Sequence, residues 1–190
     1  MLIRRVFLLS FSLITFSLIN SCQFISNSSL QLVEEVIDGD TYKINNQTYR
    51  LLGADTPETF DRNNNFQSTS GPQYLYGQEA KRFIKQLIEN KEVEPDIIKK
   101  DKYNRLVSKI SFNNQDLTTL LIRKGLAVIR YISSSKKDPF YFSDRNYIEN
   151  LWEAQNIAQK EKQGFWKEDQ TKLKQIFPGY KFQDNKIIKF

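Results

Sequence analysis

Apolar and polar positions alternate along five short runs, Leu30–Ile37, Thr41–Ile44, Thr48–Leu52, Glu92–Ile98 and Leu106–Phe112, each rich in β-branched or aromatic residues. That period predicts strands, and five of them match a small barrel. The second and third runs flank Asn45-Asn46, a pair that tolerates the positive φ of a tight two-residue turn, so they are expected to form a hairpin. Pro95 falls inside the fourth run and marks it as an edge or bulged strand.

A helical period takes over elsewhere. From Gln78 onward, Ala80, Phe83, Ile84, Leu87 and Ile88 form one apolar stripe opposite a charged face. Leu117, Leu120 and Leu121 share the face of a second helix, and Gly125 is placed to end it in the left-handed conformation. In a third, Ser143 is the expected N-cap, Tyr147, Leu151, Ala154 and Ala158 line up, and Gly164 is the stop. Thr59 to Gly71 reads as a polar loop. Residues 167–190 set Lys167, Lys172, Lys174, Lys181, Lys186 and Lys189 around Ile176 and Phe177. This basic extension is compatible with packing on the barrel, lying along a nucleic acid, or staying loosely ordered.

The N-terminus follows neither pattern. Arg4 and Arg5 precede an apolar run of 14 residues, Val6 to Ile19, which is short for a membrane span and suits the core of a signal peptide. Ile19-Asn20-Ser21-Cys22 resembles a bacterial lipobox, although Asn20 departs from the small or aliphatic residue usual there. Residues 1–22 are therefore expected to be an export signal, with Cys22 lipidated and the protein anchored to the membrane of the cell envelope; an ordinary secretory signal is the alternative. Residues 23–32 read as a polar tether and 33–166 as one folded domain.

Composition narrows the chemistry. The 190-residue chain is 39% hydrophobic, enough for one core. With no histidine, it can run neither Ser-His-Asp nor Cys-His catalysis and builds no histidine zinc site. Its single cysteine excludes an intramolecular disulfide. A formal charge of +6 favours a polyanionic partner.

Two acidic clusters, Asp38/Asp40 and Asp55/Glu58, flank the predicted hairpin. Folding it back brings Asp40 and Asp55 together, with Arg50 between them in the alternating strand. A carboxylate pair suits a hard divalent cation, and a cation, a carboxylate base and arginine are the parts that phosphodiester cleavage needs.

Four segments carry a resemblance in the same order: Ile37-Asp38-Gly39-Asp40-Thr41, Arg50 through Thr59, Asp101-Lys102-Tyr103-Asn104-Arg105-Leu106, and Arg123-Lys124-Gly125-Leu126-Ala127. Together they resemble the staphylococcal nuclease (thermonuclease) family over roughly Val33 to Trp166. The resemblance implies an α+β fold, a five-stranded OB-fold barrel packed with three helices. It also implies a monomeric Ca²⁺-dependent nuclease that cuts DNA and RNA, single-stranded or frayed, with little sequence preference and leaves 3′-phosphate ends. Asp40, Asp55 and the backbone carbonyl of Thr56 would then hold Ca²⁺, with Asp38 behind them. Glu58, stiffened by Pro57, would take a proton from the attacking water, and Arg50 and Arg105 would grip the scissile phosphate. Lys102, Tyr103 and Tyr131 match substrate-binding positions. Three departures stand out: a longer loop after Thr59, Asn104 for a glycine, and Ser133 for a second tyrosine. The rival reading is a non-catalytic OB module that binds single-stranded nucleic acid or a protein partner.

Overall fold

The computed structural model describes residues 30–59, 70–183 and 186–187. Its strands are β1 (Gln31–Asp38), β2 (Thr41–Ile44), β3 (Gln47–Leu51), β4 (Ala54–Asp55), β5 (Glu92–Lys100), β6 (Leu106–Phe112), β7 (Gln115–Asp116), β8 (Val128–Ile129), β9 (Phe182–Gln183) and β10 (Lys186–Ile187). Its helices are α1 (Gly71–Ile88), α2 (Leu117–Arg123), α3 (Arg145–Lys160) and α4 (Gln170–Ile176), with a 3₁₀ turn at Gly164–Lys167.

The sheet runs β3-β2-β1-β5-β6-β7, and β3 also pairs with β6, which closes five strands into a barrel. Every pairing in it is antiparallel except that seam, where Arg50 lies opposite Val107 in parallel register. This is the α+β, OB-type barrel that the resemblance implies, with the five strands that the alternation predicts. Asn45 and Asn46 take φ of 48° and 60°, the geometry of a two-residue type I′ hairpin. Pro95 sits past the short β1 pairing of β5 at Glu92 and Val93, on an open edge, and a register shift follows between Ile97 and Lys99.

The inward side chains of the strands, Val33, Val36, Tyr42, Ile44, Leu51, Val93 and Ile110, meet Ala80, Ile84 and Ile88 of α1 and Leu117, Leu121 and Leu151 of α2 and α3 in one core. α1 begins seven residues before Gln78, with Pro72 in its first turn, where a missing N–H has no helical partner to lose. Asp116 caps α2 by accepting from Thr119 N–H at 2.7 Å, and Gly125, at φ +63°, ends it as predicted. α3 is capped by Asp144, which accepts from Tyr147 N–H at 3.0 Å, and not by Ser143; carboxylate and hydroxyl serve equally at that position, and the backbone turns one residue later. The helix ends at Lys160, before Gly164.

Residues 167–183 pack back on the domain. Leu173, Ile176, Phe177 and Phe182 join Tyr76, Ala158, Phe165 and Trp166 in a second core, and this adds a fourth helix to the three expected. Edge-to-face rings run from Tyr76 to Phe165 (6.1 Å), Phe177 (5.1 Å) and Tyr180 (5.1 Å). The register of this layer rests on a backbone crossing: Phe165 N–H donates to Gly125 O at 3.0 Å, and a Cβ on Gly125 would lie 2.1 Å from Gln163 O. Gly125→Ala should therefore cost on the order of 2–3 kcal/mol in urea unfolding, whereas a surface glycine such as Gly179, with open space around it, should tolerate alanine within about 0.5 kcal/mol.

Candidate active site

Two bends carry the acids to one rim of the barrel. β1 ends in a register shift between Val36 and Asp38, and the chain then turns through Gly39, whose own N–H donates to Asp38 Oδ1 at 2.8 Å. No side chain fits at Gly39, because a Cβ would stand 2.8 Å from Thr56 Cγ2 and 2.9 Å from Ala80. The second bend, Asp55 to Thr59, docks on α1 at Gly77, where a Cβ would lie 2.6 Å from Pro57 O and 3.2 Å from Glu58 C. A bare glycine in α1 thus sets where the Glu58 backbone can sit.

Asp40 is fully buried and uses both oxygens. Oδ1 accepts from Thr41 Oγ1 at 3.0 Å and from Arg50 Nη1, and Oδ2 accepts from the N–H and hydroxyl of Thr56 at 2.8 and 3.0 Å. Arg50, opposite Thr41 in the hairpin, reaches the other acid too: Nη2 donates to Asp55 Oδ1 at 2.5 Å and to Ala54 O at 3.2 Å. The guanidinium therefore bridges Asp40 and Asp55, as the hairpin geometry implies. The second oxygen of Asp55 accepts from the phenol of Tyr180. Thr56 was expected to act through its carbonyl; the contacts it makes here run through its N–H and hydroxyl, and they orient Asp40.

The acids outnumber the cation. Burial, reinforced by Asp40 nearby, lifts the Asp38 carboxyl from 3.8 to about 7. Burial also raises Asp55 against the pull of Arg50. For Arg50, burial works downward, yet Asp40 and Asp55 hold its proton more tightly than in a free arginine. Among the described residues no three acids or cysteines form a metal cluster. A cation at Asp40 and Asp55 would complete its shell with backbone and water oxygens. An all-oxygen pair with surplus negative charge fits a hard divalent ion.

Opposite the acids, a cavity of about 440 Å³ opens between Arg50, Asp55 and Glu58 on one side and Lys102, Arg105 and Tyr131 on the other. Arg105 is turned toward this space and held there by Asp101, whose Oδ2 accepts from Nε at 2.8 Å and forms an ion pair with Nη2 at 2.8 Å. Asp101 Oδ1 accepts from the backbone N–H groups of Tyr103 and Arg105, so one side chain shapes the loop and aims the arginine. Burial opposes this, but those N–H groups and the guanidinium keep Asp101 below the usual carboxylate range. Asn104 takes φ 71°, so the turn survives without the glycine. Lys102 and Arg105 lie 5.0 and 5.2 Å from the exposed Tyr103 ring.

Tyr131, at φ 57°, lies 5.1 Å from Phe140 in an edge-on pair. Ser133 carries no ring, but its N–H donates to Phe140 O at 2.9 Å and its carbonyl accepts from Phe142 N–H at 2.8 Å. This closes a loop that returns an aromatic to the cavity wall. Neither Asp101 nor Phe140 was singled out from the sequence.

A profile described as staphylococcal nuclease homologue matches residues 48–168. The chain belongs to the staphylococcal nuclease family. The thermonuclease of Staphylococcus hyicus is 32% identical over 147 residues, 74% of this chain and 78% of its own length. That of Staphylococcus intermedius is 33% identical over 141 residues, 71% and 74% of the two chains. An SPbeta prophage-derived endonuclease of Bacillus subtilis is 28% identical over 141 residues, which cover 70% of this chain and 43% of that protein. Membership supports a nuclease whose substrate is nucleic acid. The expected signal at 1–22, lipidation at Cys22 and most of the tether and of the longer loop lie outside the described residues.

The family's acidic rim has a pH signature here. Because the folded Asp38 carboxyl titrates near 7 and the unfolded one near 3.8, the folded chain keeps a proton that the unfolded chain loses. The associated stability is present below about pH 4 and is lost as pH rises through about 7. Without added metal, the melting temperature should fall between about pH 5 and pH 8, and Asp38→Asn should flatten that slope. An unchanged slope in the variant would remove Asp38 as its source. Gly77→Ala should lower kcat by roughly tenfold or more by displacing the Glu58 bend, an effect checked by steady-state kinetics on single-stranded DNA.

Proposed function

We propose that this chain is a Ca²⁺-dependent nuclease that hydrolyses DNA and RNA phosphodiesters with little sequence preference and leaves 3′-phosphate ends. The observation that carries the reading is the buried bridge of Arg50 between Asp40 and Asp55 at the edge of a cavity shared with Glu58 and Arg105. Ca²⁺ held by Asp40, Asp55 and the Thr56 carbonyl would neutralise phosphate charge and polarise the ester.

The chain's own residues account for the rest. Glu58 takes the proton of the water that attacks phosphorus, and its stiff bend against α1 limits the reorganisation this requires. Arg50 and Arg105 stand near one another because β3 and β6 pair in parallel with Arg50 opposite Val107. Two guanidinium groups on one cavity suit the non-bridging oxygens, whose charge grows as the fifth bond to phosphorus forms. Lys102 offers its charge and Tyr103 its hydroxyl to a neighbouring phosphate, and Tyr131 offers a face to a base. Stacking of this kind is tolerant of sequence.

Export on the signal at residues 1–22 and anchorage to the envelope membrane through a lipid on Cys22 belong to the same proposal and rest on the N-terminal sequence alone; action as a monomer belongs to it too and rests on the family resemblance.

Protein lacking residues 1–22 should degrade single-stranded DNA with Ca²⁺ and stop when chelator is added, with 3′-phosphates on the products by mass spectrometry. Glu58→Gln should lower kcat by about two to four decades, and Arg105→Ala by about two to three. Retained binding to single-stranded DNA, no turnover at any alkaline pH, and no difference between wild type and Glu58→Gln would instead establish a binding module.

A further inference from the structure

The segment after Trp166 does more than close the second core. It delivers a phenol, 125 residues along the chain, to the carboxylate of Asp55. We propose that Tyr180 is a positioning residue for Asp55, so that the C-terminal extension is a working part of the cation site. The proposal rests on the nuclease reading above, in which Asp55 is a cation ligand.

Asp55 sits on a two-residue strand at the barrel rim, with no long ladder to hold it. Its carboxylate can turn about the bond from Cα unless both oxygens are engaged. Arg50 engages Oδ1, and Tyr180 engages Oδ2. Each oxygen keeps a second lone pair, so the carboxylate is oriented and remains able to bind a cation.

Tyr180 is itself well seated. Its ring lies 5.1 Å from Phe177 and 6.5 Å from Phe182, and its N–H donates to Phe177 O at 3.1 Å. On the other side the Arg130 guanidinium stacks 4.2 Å from the ring centroid. Arg130 follows β8, the partner strand of the one that carries Asp55, and its N–H donates to Gly53 O at 3.1 Å. The tyrosine is thus clamped between the tail core and the very strand pair it steadies. A tail that merely covered apolar surface would have no reason to point a hydroxyl into an acidic cluster. Phenylalanine would pack there as well, without the cost of burying a polar group.

The test uses the full-length chain in detergent and Ca²⁺ alone as the probe, titrated calorimetrically with no nucleic acid present. Tyr180→Phe keeps the ring, its aromatic neighbours and the stack on Arg130, and removes only the donor. Ca²⁺ affinity should fall by roughly 10-fold or more. In turnover of single-stranded DNA, kcat at subsaturating Ca²⁺ should fall and recover as Ca²⁺ is raised, with KM for DNA unchanged. Should Tyr180→Phe fail to fold by circular dichroism, Phe177→Leu takes its place; it removes a ring that seats Tyr180 without changing any charge near Asp55, and should weaken Ca²⁺ several-fold.

Wild-type affinity in a folded Tyr180→Phe variant, with only the melting temperature reduced, would make the contact a structural latch and overturn the proposal. Tighter Ca²⁺ binding would also overturn it, because the phenol would then compete with the cation. If the wild-type chain binds no Ca²⁺ in the same titration, the calcium reading itself fails and takes this proposal with it.

Discussion

Arg50 lies between two carboxylates that come from different segments, and the architecture of the acidic rim follows from that one contact. Asp40 is sealed from solvent and Asp55 is half-buried, and charges placed like that without a partner would be destabilising. The guanidinium reaches both because the β2–β3 hairpin sets Arg50 across from Thr41, one residue from Asp40, while its other arm meets the strand four residues downstream. Arginine suits the position better than lysine, since its planar fork offers a separate donor edge to each acid and keeps its proton. One positive charge still leaves the cluster short, and burial lifts Asp38 and Asp55 accordingly.

The opposite wall is organised by a separate device. Asp101 folds the β5–β6 loop around two backbone N–H groups and anchors Arg105 with its other oxygen, so loop shape and arginine direction are one property. The Arg50 bridge on the acidic rim and the Asp101 brace on the basic wall use different partners. What relates them is the barrel, through the parallel pairing of β3 with β6. Rigid strands behind and short loops in front are a reasonable way to hold groups that, in the proposed reaction, meet a phosphate within a fraction of an ångström.

How much of this can be read from the residues alone depends on range. The hairpin is local: two asparagines able to adopt positive φ and an alternating strand on each side are enough to bring Asp40, Arg50 and Asp55 together. The five strands and the faces of α1 to α3 follow from period for the same reason. α4 escapes that test, because Leu173, Ile176 and Phe177 span barely two turns among lysines and carry no clear stripe. Asp101 looks like one more charge in a charged loop until its three accepted hydrogen bonds and its ion pair with Arg105 are seen. Phe140 substitutes for a ring missing at position 133 only because a loop folds over, and no spacing rule announces that. Ser143 and Asp144 are equivalent caps on paper, and only the backbone distinguishes them.

The seam between β3 and β6 closes across more than fifty residues of intervening chain, a long-range pairing whose closure entropy no local contact offsets. The two guanidinium groups that flank the cavity are held together only while that seam is closed, whatever local hairpins form. The proposed hydrolysis therefore depends on a closed barrel wall and not on any local element alone. A chain threaded through a narrow passage in extended form would be inert toward any nucleic acid it met on the way.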